Sequence, residues 1–108
     1  MIARRRFILS LEEHRADLDL ERMAVRNRWA YLAALDALRV LLANPGRGLH
    51  KSKRLQGCFS WDFPASPLDS KLQGRIIYRL EDRRIVLVAV HEDHGEAYRR
   101  AQGRVVQR

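Results

Sequence analysis

Four residues that can carry chemistry lie in the C-terminal third of the sequence: Arg75, His91, His94 and Tyr98. A guanidinium group binds phosphate-like anions and stabilises negative charge that develops on them. An imidazole titrates near neutral pH, so it can either accept or release a proton. If the fold brings these side chains together, they can bind an anion and move protons around it.

A predicted β-hairpin is the element that must position these groups. Two runs rich in Ile, Val, Leu and Tyr, residues 75–80 and 84–90, flank the charged turn Asp82-Arg83, a pattern typical of antiparallel strands. Side chains alternate along a strand. The first run therefore places Ile76, Tyr78 and Leu80 on one face and Arg75, Ile77 and Arg79 on the other. The prediction is a sheet with one apolar face and one cationic face.

The first half of the chain predicts one strand and two helices. Residues 5–9 form the candidate strand, and Ser10 precedes Glu13 at the spacing of a helix capping box. We expect a short helix over residues 11–17 and a longer one that is capped by Asp19 and runs to about Ala43. An apolar stripe at spacings of three and four residues favours packing of the long helix on a sheet.

Residues 58–63 alternate, with Phe59, Trp61 and Phe63 on one face, and predict a further strand. The basic loop 45–57 precedes it, and a short helix carrying Tyr98 follows the hairpin. The predicted fold class is α+β, a two-helix antiparallel hairpin on one face of a small, mainly antiparallel four-stranded sheet, in the order β-α-α-β-β-β-α. The length of 108 residues predicts a single domain over residues 1–108.

Charge is the strongest compositional signal. The net charge is +8 and the pI about 10.7, and all but three of the 21 basic residues are arginine. Such a small basic chain favours an acidic partner, either nucleic acid or an acidic protein. The candidate phosphate-binding residues, in the loop and on the hairpin, are Lys51, Lys53, Arg54 and Arg79. They could equally be non-specific phosphate anchors or a solvated basic surface.

Other features of the sequence exclude several classes of protein. The longest apolar run, residues 85–90, is too short to cross a membrane, and Glu12 and Glu13 come too early for a signal peptide. One cysteine, Cys58, cannot form an internal disulfide. We therefore expect a cytoplasmic protein without membrane contact. His91 and His94 have no third metal ligand close in sequence, so no metal or cofactor is expected.

The hairpin GRIIYRLEDRRIVLVAV, followed by a histidine-containing turn and EAYRRA, resembles the RelE/ParE superfamily of bacterial toxins over roughly residues 6–104. The resemblance to the RelE branch implies that Arg75 stabilises the phosphate while Lys51, Lys53 and Arg54 hold it. It implies proton transfer by His91 or His94, and base stacking or proton transfer by Tyr98. Tyr98 could instead pack the last helix on the sheet, and His94 could cap that helix.

The resemblance implies a toxin of a type II toxin–antitoxin system, a metal-independent endoribonuclease that cleaves mRNA at the ribosome. Its partners would be mRNA, ribosomal RNA and a cognate antitoxin that is acidic and partly disordered when free. Two alternatives stay open: a ParE-type inhibitor of DNA gyrase without nuclease activity, and a non-catalytic basic nucleic-acid-binding module. Two departures from the family pattern bear on the branch, the proline-containing segment 64–67 and the sequence His91-Glu92-Asp93-His94.

Overall fold

A computed structural model describes residues 7–44, 50, 51, 55 and 57–106, with the backbone alone at positions 50, 51 and 106. Within these residues five strands and three helices follow one another: β1 Ile8–Ser10, α1 Ala16–Arg26, α2 Arg28–Ala43, β2 His50–Lys51, β3 Phe59–Pro64, β4 Gln73–Glu81, β5 Arg84–His91 and α3 His94–Val106.

The strands form one mixed sheet in the order β1-β5-β4-β3-β2. Strand β1 runs parallel to β5, and every other neighbouring pair is antiparallel. The predicted hairpin is confirmed as β4 and β5, joined through Asp82 at a φ of 53°. Aspartate tolerates this left-handed conformation better than most residues. The α+β class is confirmed, while the two-residue strand β2, which lies inside the predicted basic loop, was not predicted.

A β-bulge decides which side chains of the hairpin share a face. Ile77 pairs with Ala89 but Tyr78 pairs with Leu87, so Val88 is an extra residue in β5. An extra residue breaks the alternation. Val88 and Ala89 therefore both pack on the α3 side of the sheet, whereas Leu87 packs on the other side.

The main core lies between this second side of the sheet and helices α1 and α2. Its strand residues include Phe63, Ile76, Tyr78 and Leu87, all almost fully buried, with Phe59 packed against them. Their positions confirm the predicted apolar faces of β3 and β4. Truncating such a side chain to alanine typically costs about 2–5 kcal/mol, because a cavity remains.

Helix α3 covers the opposite side, which the sequence predicted to be an open cationic face. Its alanines Ala97 and Ala101 pack on Ile77, Val88 and Ala89, all fully buried, in a second apolar cluster that also contains Leu55 and Cys58. The prediction of one apolar and one cationic face was therefore wrong. Arg75 and Arg79 lie at the margins of a second core, because the small alanines let α3 approach the sheet.

The predicted helix boundaries were also wrong. Asp19 does not cap a helix: it lies inside α1 and is fully buried. Asn27 separates the two helices, and its side chain accepts a hydrogen bond from the Ala30 amide, which makes it the cap of α2. Ser10 ends β1, and a turn over residues 12–15 precedes α1. Among the described residues, no helix is long and apolar enough to span a membrane.

Candidate active site around Arg75 and His91

Three polar residues stand side by side on neighbouring strands at one end of the sheet. In the strand register Asp62 of β3 lies opposite Arg75 of β4, and Arg75 lies opposite His91 of β5. Directly opposed residues on antiparallel strands project from the same face, with Cα atoms about 4.5–5.5 Å apart. The hairpin thus brings together two of the predicted catalytic residues, Arg75 and His91.

The guanidinium of Arg75 is held on two sides. Its Nε and Nη2 donate hydrogen bonds to the two carboxylate oxygens of Asp62, at 2.6 and 3.2 Å. Its carbon Cζ lies 5.3 Å from the centroid of the Tyr98 ring, within cation–π range. The hydrogen bond to Asp62 raises the pKa of Arg75 despite partial burial. The group is a cation held between a carboxylate and an aromatic ring.

His91 is a largely buried imidazole whose surroundings disfavour its charged form. Burial lowers the pKa of His91 below its ordinary value of 6.5, and the positive charges of Arg100 and Arg26 act in the same direction. Glu92 opposes them, but the net shift is downward. At pH 7 the ring is therefore neutral and can accept a proton.

Three neighbours set the orientation of the imidazole. Its Nε2 lies 3.3 Å from Nη2 of Arg26, while Nδ1 lies 2.9 Å from the amide nitrogen of Asp93 and 3.1 Å from a carboxylate oxygen of Glu92. A neutral ring has one N–H and one acceptor nitrogen. The ring either donates from Nδ1 to Glu92 and accepts from Arg26, or accepts at Nδ1 from the Asp93 amide.

Sequence reasoning missed the pair that supports His91. Arg26, the last residue of α1, donates two hydrogen bonds to Glu92, at 2.9 and 2.5 Å. Burial raises the pKa of Glu92, but hydrogen bonds from Arg26 and the backbone outweigh it, so the net pKa is lowered. Glu92 is adjacent to His91 in sequence, whereas nothing in the local pattern connects either residue with Arg26.

The other two predicted catalytic residues have different environments. Tyr98 is partly buried and packs with the cluster beneath α3, as the alternative role predicted. His94 is exposed at the first position of α3. Asp93, not His94, caps this helix, because its carboxylate accepts hydrogen bonds from the amides of Gly95 and Glu96. Tyr98 therefore fixes Arg75, and His94 lies outside the row of Asp62, Arg75 and His91.

Of the predicted phosphate-binding residues, the structure describes the side chain of Arg79 alone, and Arg79 does not join this row. Arg79 lies four residues along β4 from Arg75, a separation of about 13 Å, and pairs with Glu13 at 2.7 Å and Glu81 at 3.3 Å. Lys53, Arg54 and the side chain of Lys51 lie outside the part of the chain that the structure describes.

A second ion pair, also missed from the sequence, clamps the outer edge of β5. The side chain of Arg104 donates two hydrogen bonds to Asp19, both at 2.7 Å, and a third to the carbonyl of Val88 at 2.8 Å. Asp19 also accepts from the Val90 amide at 3.0 Å. The described residues of β1 pair with residues 84–86 of β5. The two side chains therefore bind β5 backbone groups beyond the reach of β1 and connect α1 with α3.

Carboxylates pair with the arginines at this end of the sheet. In addition to the Arg75–Asp62 and Arg26–Glu92 pairs, Arg100 contacts both Asp19 and Glu96. In the described ranges, the basic side chains without an ion pair are Arg22, which lines a surface cavity together with Arg26, and Arg28, Arg39, Lys71 and Arg83. The site is thus a network of paired charges, and an anion must displace Asp62 to bind the Nε–Nη2 edge of Arg75.

Over residues 7–44, 55 and 57–105, no three His, Cys, Asp or Glu side chains cluster as metal ligands would. Comparisons of the chain with protein-family models, with curated proteins and with solved structures find no match.

Proposed function

We propose that the chain is a RelE-like toxin of a type II toxin–antitoxin system and acts as a metal-independent endoribonuclease on mRNA. The observation that carries the proposal is the direct pairing of Arg75 with His91 across β4 and β5. A fixed cation then stands next to an imidazole that is neutral at pH 7. These are the two groups that RNA transesterification requires first, a stabiliser of phosphorane charge and a proton acceptor.

In the proposed reaction the ribose 2′-oxygen attacks the adjacent phosphorus and gives its proton to His91. The P–O5′ bond breaks, leaving a 2′,3′-cyclic phosphate on one fragment and a 5′-hydroxyl on the other. The leaving oxygen takes a proton from a general acid, for which His94 and Tyr98 are the candidates. Arg75 stabilises the extra negative charge on the phosphorus-bound oxygens. Arg26 and Glu92 orient the imidazole of His91.

The partners follow from the same proposal. The substrate is mRNA in the ribosomal decoding site, which places the protein in the cytoplasm, and the net charge of +8 favours docking on ribosomal RNA phosphates. A cognate antitoxin, acidic and partly disordered when free, would neutralise the same basic surface.

A second candidate is a ParE-type inhibitor of DNA gyrase, with the same scaffold and no hydrolytic chemistry. One specific observation favours it: the guanidinium of Arg75 already has a carboxylate partner in Asp62. In a purely structural role, this pair would stabilise the sheet and would not bind phosphate.

Expression of the chain in bacteria separates the two candidates. The ends of cellular mRNA are mapped by primer extension for the unmodified protein, Arg75→Ala, His91→Ala and the control Arg39→Ala. The control removes an exposed arginine of α2 that has no ion pair in the described chain. Codon-phased cuts that disappear in the first two variants and persist in the control support the nuclease. Growth arrest with intact mRNA and altered plasmid supercoiling would contradict it and support gyrase inhibition.

A further inference from the structure

The carboxylate of Asp62 occupies the position that a phosphate group takes on an arginine. Two donors of the Arg75 guanidinium, Nε and Nη2, each contact one oxygen of Asp62. Arginine binds phosphate through the same arrangement of two parallel N–H···O contacts. A phosphodiester and the Asp62 carboxylate therefore compete for one edge of the same guanidinium.

Asp62 is the more accessible member of this pair. Its side chain is 44% exposed, against 22% for Arg75. In the described part of the chain, Arg75 is the only residue with which the Asp62 side chain forms a hydrogen bond or ion pair. Rotation of the Asp62 side chain into solvent would therefore break contacts with Arg75 alone, and a bound phosphate group would replace them on the same donor edge.

Arg75 has a second support that does not depend on Asp62. The Tyr98 ring lies against its guanidinium, and Tyr98 itself packs in the apolar cluster under α3. Rings stacked on guanidinium groups restrict their orientation. The donor edge of Arg75 would thus keep its direction when Asp62 moves away.

We propose that Asp62 is a competing internal ligand that sets the affinity of Arg75 for the RNA backbone. In the free protein the carboxylate fills the phosphate position, and a phosphodiester binds by displacing it. The inference rests on the proposed function only in taking RNA phosphate as the ligand of Arg75. It predicts that loss of the Asp62 charge tightens binding, although it removes an ion pair from the fold.

The test measures binding of a short single-stranded 2′-O-methyl oligoribonucleotide by fluorescence anisotropy at fixed salt. This probe has no free 2′-hydroxyl, so the proposed reaction cannot cleave it. Asp62→Asn should bind about tenfold more tightly than the unmodified protein, the range expected for one charge-assisted contact. The control Asp82→Asn makes the same change in net charge at the exposed turn between β4 and β5, where asparagine also tolerates the left-handed backbone. This turn lies at the far end of β4 from Arg75, so the change should alter binding by no more than about twofold, because salt screens distant charges.

The double variant Asp62→Asn/Arg75→Gln should lose the gain, because the freed donor edge is absent. Equal affinities of Asp62→Asn and Asp82→Asn would overturn the proposal, as would a gain that persists without Arg75. Asp62→Ser provides a second removal of the charge if the asparagine variant does not fold.

Failure of this inference and failure of the proposed function give different results. Tighter binding by Asp62→Asn, together with intact cellular mRNA in the primer-extension experiment, would keep the competing ligand and reject the nuclease. Codon-phased cuts with unchanged binding by Asp62→Asn would keep the nuclease and reject the competing ligand.

Discussion

Two carboxylate–arginine pairs, Asp62–Arg75 and Asp19–Arg104, share their chemistry but differ in their surroundings. In both pairs two guanidinium nitrogens contact two carboxylate oxygens, and both arginine side chains are 22% exposed. The carboxylates differ: Asp62 is 44% exposed, whereas Asp19 is fully buried. The difference therefore lies in what can reach the carboxylate.

Their other contacts extend the contrast. Asp19 also binds the Val90 amide and Arg104 the Val88 carbonyl, so that pair completes the backbone bonding of β5. Asp62 has no such backbone contact in the described chain, and Arg75 stands beside His91. One pair is part of the fold, and the other can open without breaking it. The location of an ion pair thus decides whether it can serve as a binding site.

The largest expected effect is on the buried pair. Asp19→Asn leaves the guanidinium of Arg104 without its counter-charge beside a buried amide, which typically costs about 3–5 kcal/mol. The corresponding change Asp62→Asn removes a half-exposed pair and should cost less than about 1 kcal/mol. Urea denaturation of both variants measures the difference. Equal losses of stability would show that exposure of the carboxylate does not distinguish the pairs.

Conservative replacement of each arginine should separate function from stability. Arg75→Lys keeps the charge but loses the planar fork, and we expect mRNA cleavage to fall by about 10²–10³-fold with little change in stability. Arg104→Lys should reduce stability and leave cleavage by the folded fraction unchanged. Cleavage rates normalised to folded protein test this, and full activity of Arg75→Lys would argue against a bidentate role.

Gly74 controls the approach of the strand that carries Arg75. A Cβ atom at Gly74 would lie within 2.3 Å of Cζ of Phe63 and 2.8 Å of the His91 carbonyl oxygen. Gly74→Ala should therefore cost about 1–3 kcal/mol through overpacking. Gly103→Ala is the matched control, because the space around Gly103 in α3 is open and alanine favours a helix. In thermal unfolding, the midpoint temperature of Gly74→Ala should lie below that of the unmodified protein, and that of Gly103→Ala should lie above it.

The smallest effect concerns pH. Burial and the charges of Arg100 and Arg26 lower the pKa of His91 in the folded state, against the opposing charges of Glu92 and Glu96. Below pH 6.5 the unfolded chain binds this proton more readily, so stability should fall as pH decreases through that region. The proposed cleavage should also slow as pH decreases, because protonated His91 cannot accept the 2′-hydroxyl proton. His91→Gln should flatten the stability profile between pH 7.5 and 5.5, and an unchanged slope would contradict the shift.

The hairpin was within reach of the sequence, but the pairing of Arg75 with His91 was not. The apolar runs 75–80 and 84–90 place Arg75 and His91 near matching ends of two strands, but regular pairing from the turn would set Arg75 opposite Val90. The extra residue Val88 shifts the register and sets Arg75 opposite His91.

Alternation in β3 turns Asp62 away from Trp61 and Phe63 and toward the face of Arg75. The alternation in β3 is visible in the sequence, but pairing Asp62 with Arg75 also requires the register between β3 and β4. The loop between these strands does not determine that register.

The ion pair between Asp19 and Arg104 was not predictable from the local sequence pattern. Asp19 has the residue type of a helix cap, and only its contact with Arg104, 85 positions away, explains its burial within α1. The packing of α3 on the face that was predicted to be cationic was not predictable for a similar reason. Ala97 and Ala101 form a weak apolar signal, and the bulge at Val88 changes which residues they meet.

Side-chain NMR of the arginines tests the central claim most directly. The Nε–H signals of Arg75 and Arg104 are followed while the uncleavable 2′-O-methyl oligoribonucleotide is added to the unmodified protein. We predict that the Arg75 signal shifts in a saturable manner as phosphate replaces Asp62, while the Arg104 signal stays in place. A stationary Arg75 signal at saturating RNA, or equal shifts of both signals, would contradict the claim that the exposed pair is the one that opens.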